Sequence, residues 1–189
     1  MYSGFRFYLI FASILLSIIC AQTVGAQDAV KYKGTFGLKF GYYGGGTLEV
    51  NTAEWETDPG LCFGTSLDFP LTHNFYLGAA VDVAQFKMWR ESEYLLNMAL
   101  LLKKRIPVGS GSIQIRPAAG LGYAVLNEMA FVDNTDYLTL QILNEFVAVI
   151  NGKIGMSWDI GLFWALSGGN DIYDISGGPF LMVRMGVSI

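Results

Sequence analysis

Phe180-Leu181-Met182-Val183-Arg184-Met185-Gly186-Val187-Ser188-Ile189 is the stretch whose reading decides the fold. Successive side chains of an extended strand point to opposite faces. Leu181, Val183, Met185, Val187 and Ile189 therefore share one face, and Phe180, Met182, Arg184, Gly186 and Ser188 share the other. A strictly apolar face backed by one carrying Arg, Gly and Ser suits a strand in the wall of a barrel in lipid. Its apolar side meets acyl chains and its polar side lines a small interior.

The same rhythm recurs upstream. Lys31 to Tyr43 sets Phe36, Leu38, Phe40 and Tyr42 against Lys33, Gly37, Lys39 and Gly41. Gly60 to Pro70 sets Leu61, Phe63 and Leu67 against Cys62, Gly64, Ser66 and Asp68, and Phe75 to Phe86 sets Leu77, Val81 and Val83 against Gly78, Ala80 and Asp82. Tyr94 to Ile106 turns Leu96, Leu100 and Leu102 one way and Asn97 and Lys103 the other. In Ser112 to Val125, Arg116, Gly120 and Gly122 oppose Ile113, Leu121 and Tyr123. Pro117 there removes one ladder donor and predicts a local bulge or kink. A sixth strand carries Leu138, Leu140, Ile142, Phe146, Ile150 and Ile154 outward and Glu145, Asn151 and Lys153 inward; the seventh spans Ile160 to Ser167, after a turn near Ser157-Trp158-Asp159.

The connections alternate in length. Long or charged ones (Gly44 to Pro59, Lys87 to Glu93, Gly168 to Gly178) alternate with tight ones such as Pro70-Leu71-Thr72-His73-Asn74. Eight strands with long loops at one end and short turns at the other predict an all-β fold, an eight-stranded antiparallel up-and-down transmembrane barrel. Eight strands make an interior just filled by side chains.

The N-terminus reads as an export signal. Met1 to Arg6 carries one positive charge, Phe7 to Cys20 is almost wholly apolar, and Val24-Gly25-Ala26 offers small residues for cleavage. That apolar run falls short of the roughly 20 residues a membrane helix needs. The expected organisation is a signal peptide over residues 1–26 and one barrel domain over 27–189. Cleavage leaves Cys62 as the remaining cysteine, so no internal disulfide is expected; lipid attachment at Cys20 is disfavoured by the bulky Ile18-Ile19 before it. Hydrophobic residues reach 52 % with 23 glycines; alternation hides such hydrophobicity from any window average. A net charge of −4 argues against a nucleic-acid partner.

This pattern resembles the outer-membrane protein beta-barrel domain family, the eight-stranded group that includes OmpX and the membrane domain of OmpA. The features that carry the resemblance are the strand rhythm, Pro117-Ala118-Ala119-Gly120-Leu121-Gly122-Tyr123 and the alternating terminal strand, over about residues 31 to 189. The family usually closes on an aromatic residue where this chain has Ile189. The resemblance implies location in a bacterial outer membrane, with outer-membrane lipids, lipopolysaccharide and the insertion machinery as partners of a monomer.

Sorted by this arrangement, the inward face holds Lys33, Lys39, Lys103, Arg116, Lys153 and Arg184 against Asp68, Asp82 and Glu145. An unpaired charge in a low-dielectric interior costs several kcal/mol. These nine residues are therefore expected to form an internal network that plugs the lumen; a narrow water-filled pore is the alternative. The outer connections are acidic (Glu49, Glu54, Glu56, Asp58, Glu91, Glu93, Glu128, Asp133, Asp136, Asp171, Asp174). They lack calcium-loop spacing and are expected to stay solvated, with binding of an extracellular partner as the sharper reading.

Catalytic machinery is not expected. A serine nucleophile needs a base, and His73, the single histidine, falls in a short turn. Cys62 stands alone for metal binding, and Gly44-Gly45-Gly46 precedes no phosphate-binding signature. No catalytic, cofactor or metal site is assigned. The second reading of the whole chain is an exported soluble lipocalin-like barrel holding a small apolar ligand, with the faces reversed. Gly37, Gly64, Gly78, Gly120, Gly122 and Gly186 share the charged face and favour that face as the narrow interior.

Overall fold

The structure, a computed structural model, describes residues 34–88, 91–109, 112–127, 135–150, 154–169 and 174–189. The expected signal peptide, Lys33 and Lys153 lie outside the described residues. The strands are β1 (Thr35–Tyr43), β2 (Gly46–Val50), β3 (Ala53–Thr57), β4 (Gly60–Pro70), β5 (Phe75–Met88), β6 (Glu91–Lys104), β7 (Ile106–Val108), β8 (Ile113–Asn127), β9 (Thr135–Val149), β10 (Gly155–Gly169) and β11 (Asp174–Ser188).

Neighbours pair antiparallel in the order β1-β4-β5-β6-β8-β9-β10-β11, and β11 returns to β1 through Leu38↔Val187 and Tyr42↔Val183. This is a closed barrel of eight strands. Closure leaves none of them with an unpaired edge, the condition for strands to lie in hydrocarbon. No helix among the described residues is long and apolar enough to cross a membrane.

Alternation sets which face is which. Phe63, Leu121, Leu138 and Ile160 stand half or more exposed on the outer wall, while Asp82, Asn97, Lys103 and Arg184 are buried inside. A belt of exposed Leu, Phe, Val and Ile around the whole circumference reverses the lipocalin arrangement and removes that reading. Gly120 shows why glycine lines the wall: a Cβ there would fall 1.9 Å from the Leu100 carbonyl oxygen.

Several boundaries differ from the sequence reading. The sixth strand, β9, ends at Val149, and Ile150 N–H donates to the Ile154 carbonyl. The seventh, β10, begins at Gly155, so Ser157-Trp158-Asp159 is strand and Asp159 points inward. Lys87 and Glu93 are ladder residues, since β5 and β6 pair out to Met88↔Glu91; Glu93 is buried rather than looped out. Pro117 causes no bulge, because the β8–β9 register runs unshifted through Pro117↔Asn144. Its missing donor faces the gap between β6 and β7. Gly44 to Pro59, read as a loop, contains the β2–β3 hairpin, which pairs with the outer end of β11 through Leu48↔Gly177 and Val50↔Ile175.

Candidate functional site: the lumen

Each of the eight barrel strands contributes one buried charge to a connected network: Lys39 from β1, Asp68 from β4, Asp82 from β5, Lys103 from β6, Arg116 from β8, Glu145 from β9, Asp159 from β10 and Arg184 from β11; Glu93 of β6 is a further buried charge, nearer the outer end. Asp82 lies at mid-strand on β5, and the others sit towards the short turns, here the inner half. The side chains alternate in sign along one connected path. Asp82 meets Arg184; Arg184 forks onto Asp159 with Nε and Nη2 each 3.0 Å from a carboxylate oxygen. Asp159 accepts from Lys39 Nζ at 2.7 Å, and Lys39 reaches Glu145 at 2.5 Å. Glu145 also takes Lys103 at 3.3 Å, and Lys103 lies 2.8 Å from Asp68. Arg116 closes the set on Asp68 at 3.4 Å, donates to Gln114 Oε1 at 2.9 Å and stacks its guanidinium 5.1 Å from the Tyr76 ring centroid.

Four cations therefore face four anions (Lys39, Lys103, Arg116, Arg184 against Asp68, Asp82, Glu145, Asp159). Desolvating eight ions is costly, and only mutual contact and hydrogen bonds offset it. The forked Arg184–Asp159 pair is the strongest geometry of the set. It also bridges the closing seam, since Asp159 joins Arg184 of β11 to Lys39 of β1. Because the side-chain period is two, a one-residue slip of any strand would turn its charge towards lipid. The network thus locks register and closure together.

Of the nine inward charges read from the sequence, seven meet here, and Lys33 and Lys153 are outside the described residues. Asp159 was missed. Reading Ser157 to Asp159 as a turn hid it, although Met156, Trp158, Ile160 and Leu162 already alternate around it.

The outer half of the lumen is mainly apolar, with Thr57, Glu93 and Thr135 buried among its side chains. Tyr43, Cys62, Leu95, Leu126, Tyr137, Phe163, Phe180 and Met182 form its buried cluster, with Leu48, Val50 and Ile175 on top. Phe163 sits between Tyr43 and Phe180, with ring centroids 5.7 Å from each. No group of His, Cys, Asp and Glu suited to a metal ion occurs among the described residues. His73 is exposed in the β4–β5 turn, at the opposite end from this cluster.

No family model matches the chain, and no curated protein matches it. Solved structures do. Neisserial surface protein A (NspA) superposes with a TM-score of 0.53 at 10 % identity, over 83 % of this chain and 99 % of that one. The outer membrane protein OprG from Pseudomonas aeruginosa gives 0.50 at 13 % identity, over 82 % and 96 %. The chain thus has the fold of the small outer-membrane β-barrels.

Proposed function

We propose that this protein is a non-enzymatic component of a bacterial outer membrane, exported on residues 1–26, whose barrel is a sealed wall element and whose acidic outer surface faces the exterior. The observation that supports a sealed lumen is the balance of the ion network. Among the described residues each barrel strand supplies a charge to the network, each of those eight has an opposite partner, and a mainly apolar layer lies above them. A permeation path for ions needs a water-filled bore, and the interior of eight strands is just filled by side chains.

Single-channel recording in planar bilayers tests this. The folded protein is expected to give no discrete conductance steps at any holding voltage. Steady openings would retire the sealed lumen in favour of a narrow pore. Migration on a denaturing gel should differ before and after boiling, as the closed barrel resists the detergent; equal mobility would count against a membrane barrel altogether.

A further inference from the structure

The outer rim carries a crease that runs across four neighbouring strands. On β1 the buried positions are odd (Lys39, Tyr43), yet on β2 they are even (Leu48, Val50). From β4 to β3 the phase flips likewise, from Cys62 to Thr57. β11 shifts register between Phe180 and Gly177, and β10 between Ala165 and Ser167. Each strand inserts an extra residue at the same level, and an extra residue bends and twists its strand. Two of the four inserted segments are glycine-rich, Gly44-Gly45-Gly46 and Gly177-Gly178, while Leu166 is the extra residue of β10. Gly178 has φ 108, which other residues rarely adopt.

Beyond the crease, β2–β3 is sewn to β11 along one side. On its other side the described residues show a single bridge, Asp58↔Lys87, with Asp58 N–H donating to the Lys87 carbonyl at 2.8 Å. Beneath lies a recess lined by Tyr43, Leu48, Leu95, Tyr137, Phe163 and Phe180. Tyr43 is 4 % exposed, and its hydroxyl has no hydrogen-bond partner among the described residues. A buried hydroxyl left unpaired is costly, and native structures seldom leave one so.

We propose that β2–β3 is a lid, hinged on this crease and latched at Asp58–Lys87, over a binding chamber for a small aromatic molecule carrying one hydrogen-bonding group. Aromatic rings line the chamber and favour an aromatic guest through edge and stacking contacts, and the Tyr43 hydroxyl supplies its polar contact. With the lid down, the recess offers about 20 Å³, room for about one water. Admission therefore requires the lid to rise. This goes beyond the proposed envelope role and does not depend on whether ions cross the lumen.

Cys62 is a built-in reporter, since it is buried at 1 % exposure in the same apolar cluster. With Cys20→Ser it becomes the one thiol of the chain, which has 2 cysteines. The folded full-length protein in detergent is treated with a small water-soluble maleimide, and modification of Cys62 is followed by peptide mass. Lys87→Glu sets like charges on the latch and is expected to speed labelling about two- to fivefold; the exchange Asp58→Lys with Lys87→Glu should restore the original rate. Para-cresol, as the probe, should protect Cys62 saturably. Tyr43→Phe keeps the ring and should raise the half-protecting concentration about two- to tenfold. Labelling that proceeds at one rate in all latch variants, tracking only the heat-denatured gel fraction, overturns the lid. Latch-dependent labelling without saturable protection by para-cresol overturns the chamber.

Discussion

In the inner half of the lumen, Lys103 is 1 % exposed and is held by Asp68 and Glu145; in the outer half, Phe163 is equally buried and is held by the rings of Tyr43 and Phe180. Both fill the same narrow tube, but they fail differently. Apolar packing loses contacts in proportion to the atoms removed. An ion network loses far more when one member goes, because the partners stay buried and charged. The inner half therefore specifies one register, whereas the outer half tolerates repacking and can accommodate a creased, separately attached lid.

The largest effect should come from Arg184→Leu, which strips Asp82 and Asp159 of a shared partner. We expect a loss of about 3–5 kcal/mol in the unfolding free energy in urea. Met182→Leu, two residues away on the same inward face and buried in the apolar cluster, should cost under about 1.5 kcal/mol. If the two variants unfold at the same midpoint, the supposed contrast between the halves is wrong.

A step smaller, Leu121→Arg probes the outer wall, where Leu121 is 62 % exposed between Leu100 and Leu140. A basic residue on the lipid face costs about 2–4 kcal/mol at the bilayer midplane. Unfolding from lipid vesicles should show that penalty, and the same substitution at the rim position Thr47 should be nearly neutral. A neutral Leu121→Arg would place this face in water.

How much of this was legible follows the strand period. β1, β4, β5, β6, β8 and β11 each keep one phase across the membrane, so Leu100, Lys103, Val183 and Arg184 sort correctly by alternation alone. β10 failed because even positions point outward both at the end of β9 and before the start of β10: Ile150 and Ile154 are both exposed, so the sixth strand seemed to continue. The Asn151-Gly152 pair, a strong hairpin signal, was the cue that could have corrected it. The lid was hidden for a different reason. Its extra residues reverse the phase, and Glu49, Glu54 and Glu56 make the segment look like a solvated loop. The pairing of Asp159 with both Lys39 and Arg184 depends on barrel closure, which no local pattern encodes.

The smallest effect is the one that separates lid from barrel most cleanly. Glu49 and Glu54 face each other as cross-strand partners on β2–β3, and both are exposed. Like charges placed directly opposite are destabilising, and an opposite-charge pair contributes roughly 0.2–1 kcal/mol. Glu49→Lys should therefore stabilise the lid by up to about 1 kcal/mol at low salt. Raising the ionic strength should erase most of the gain, since the screening length shrinks from about 30 Å at 0.01 M to about 3 Å at 1 M. The buried pairs of the inner half are shielded from such screening, so Arg184→Leu should cost nearly the same at either salt concentration. Amide exchange in β2–β3 reads the first effect and the urea midpoint reads the second. Salt sensitivity confined to the lid would mark it as a unit apart from the ion-locked barrel; equal sensitivity in both would mean that water reaches the network.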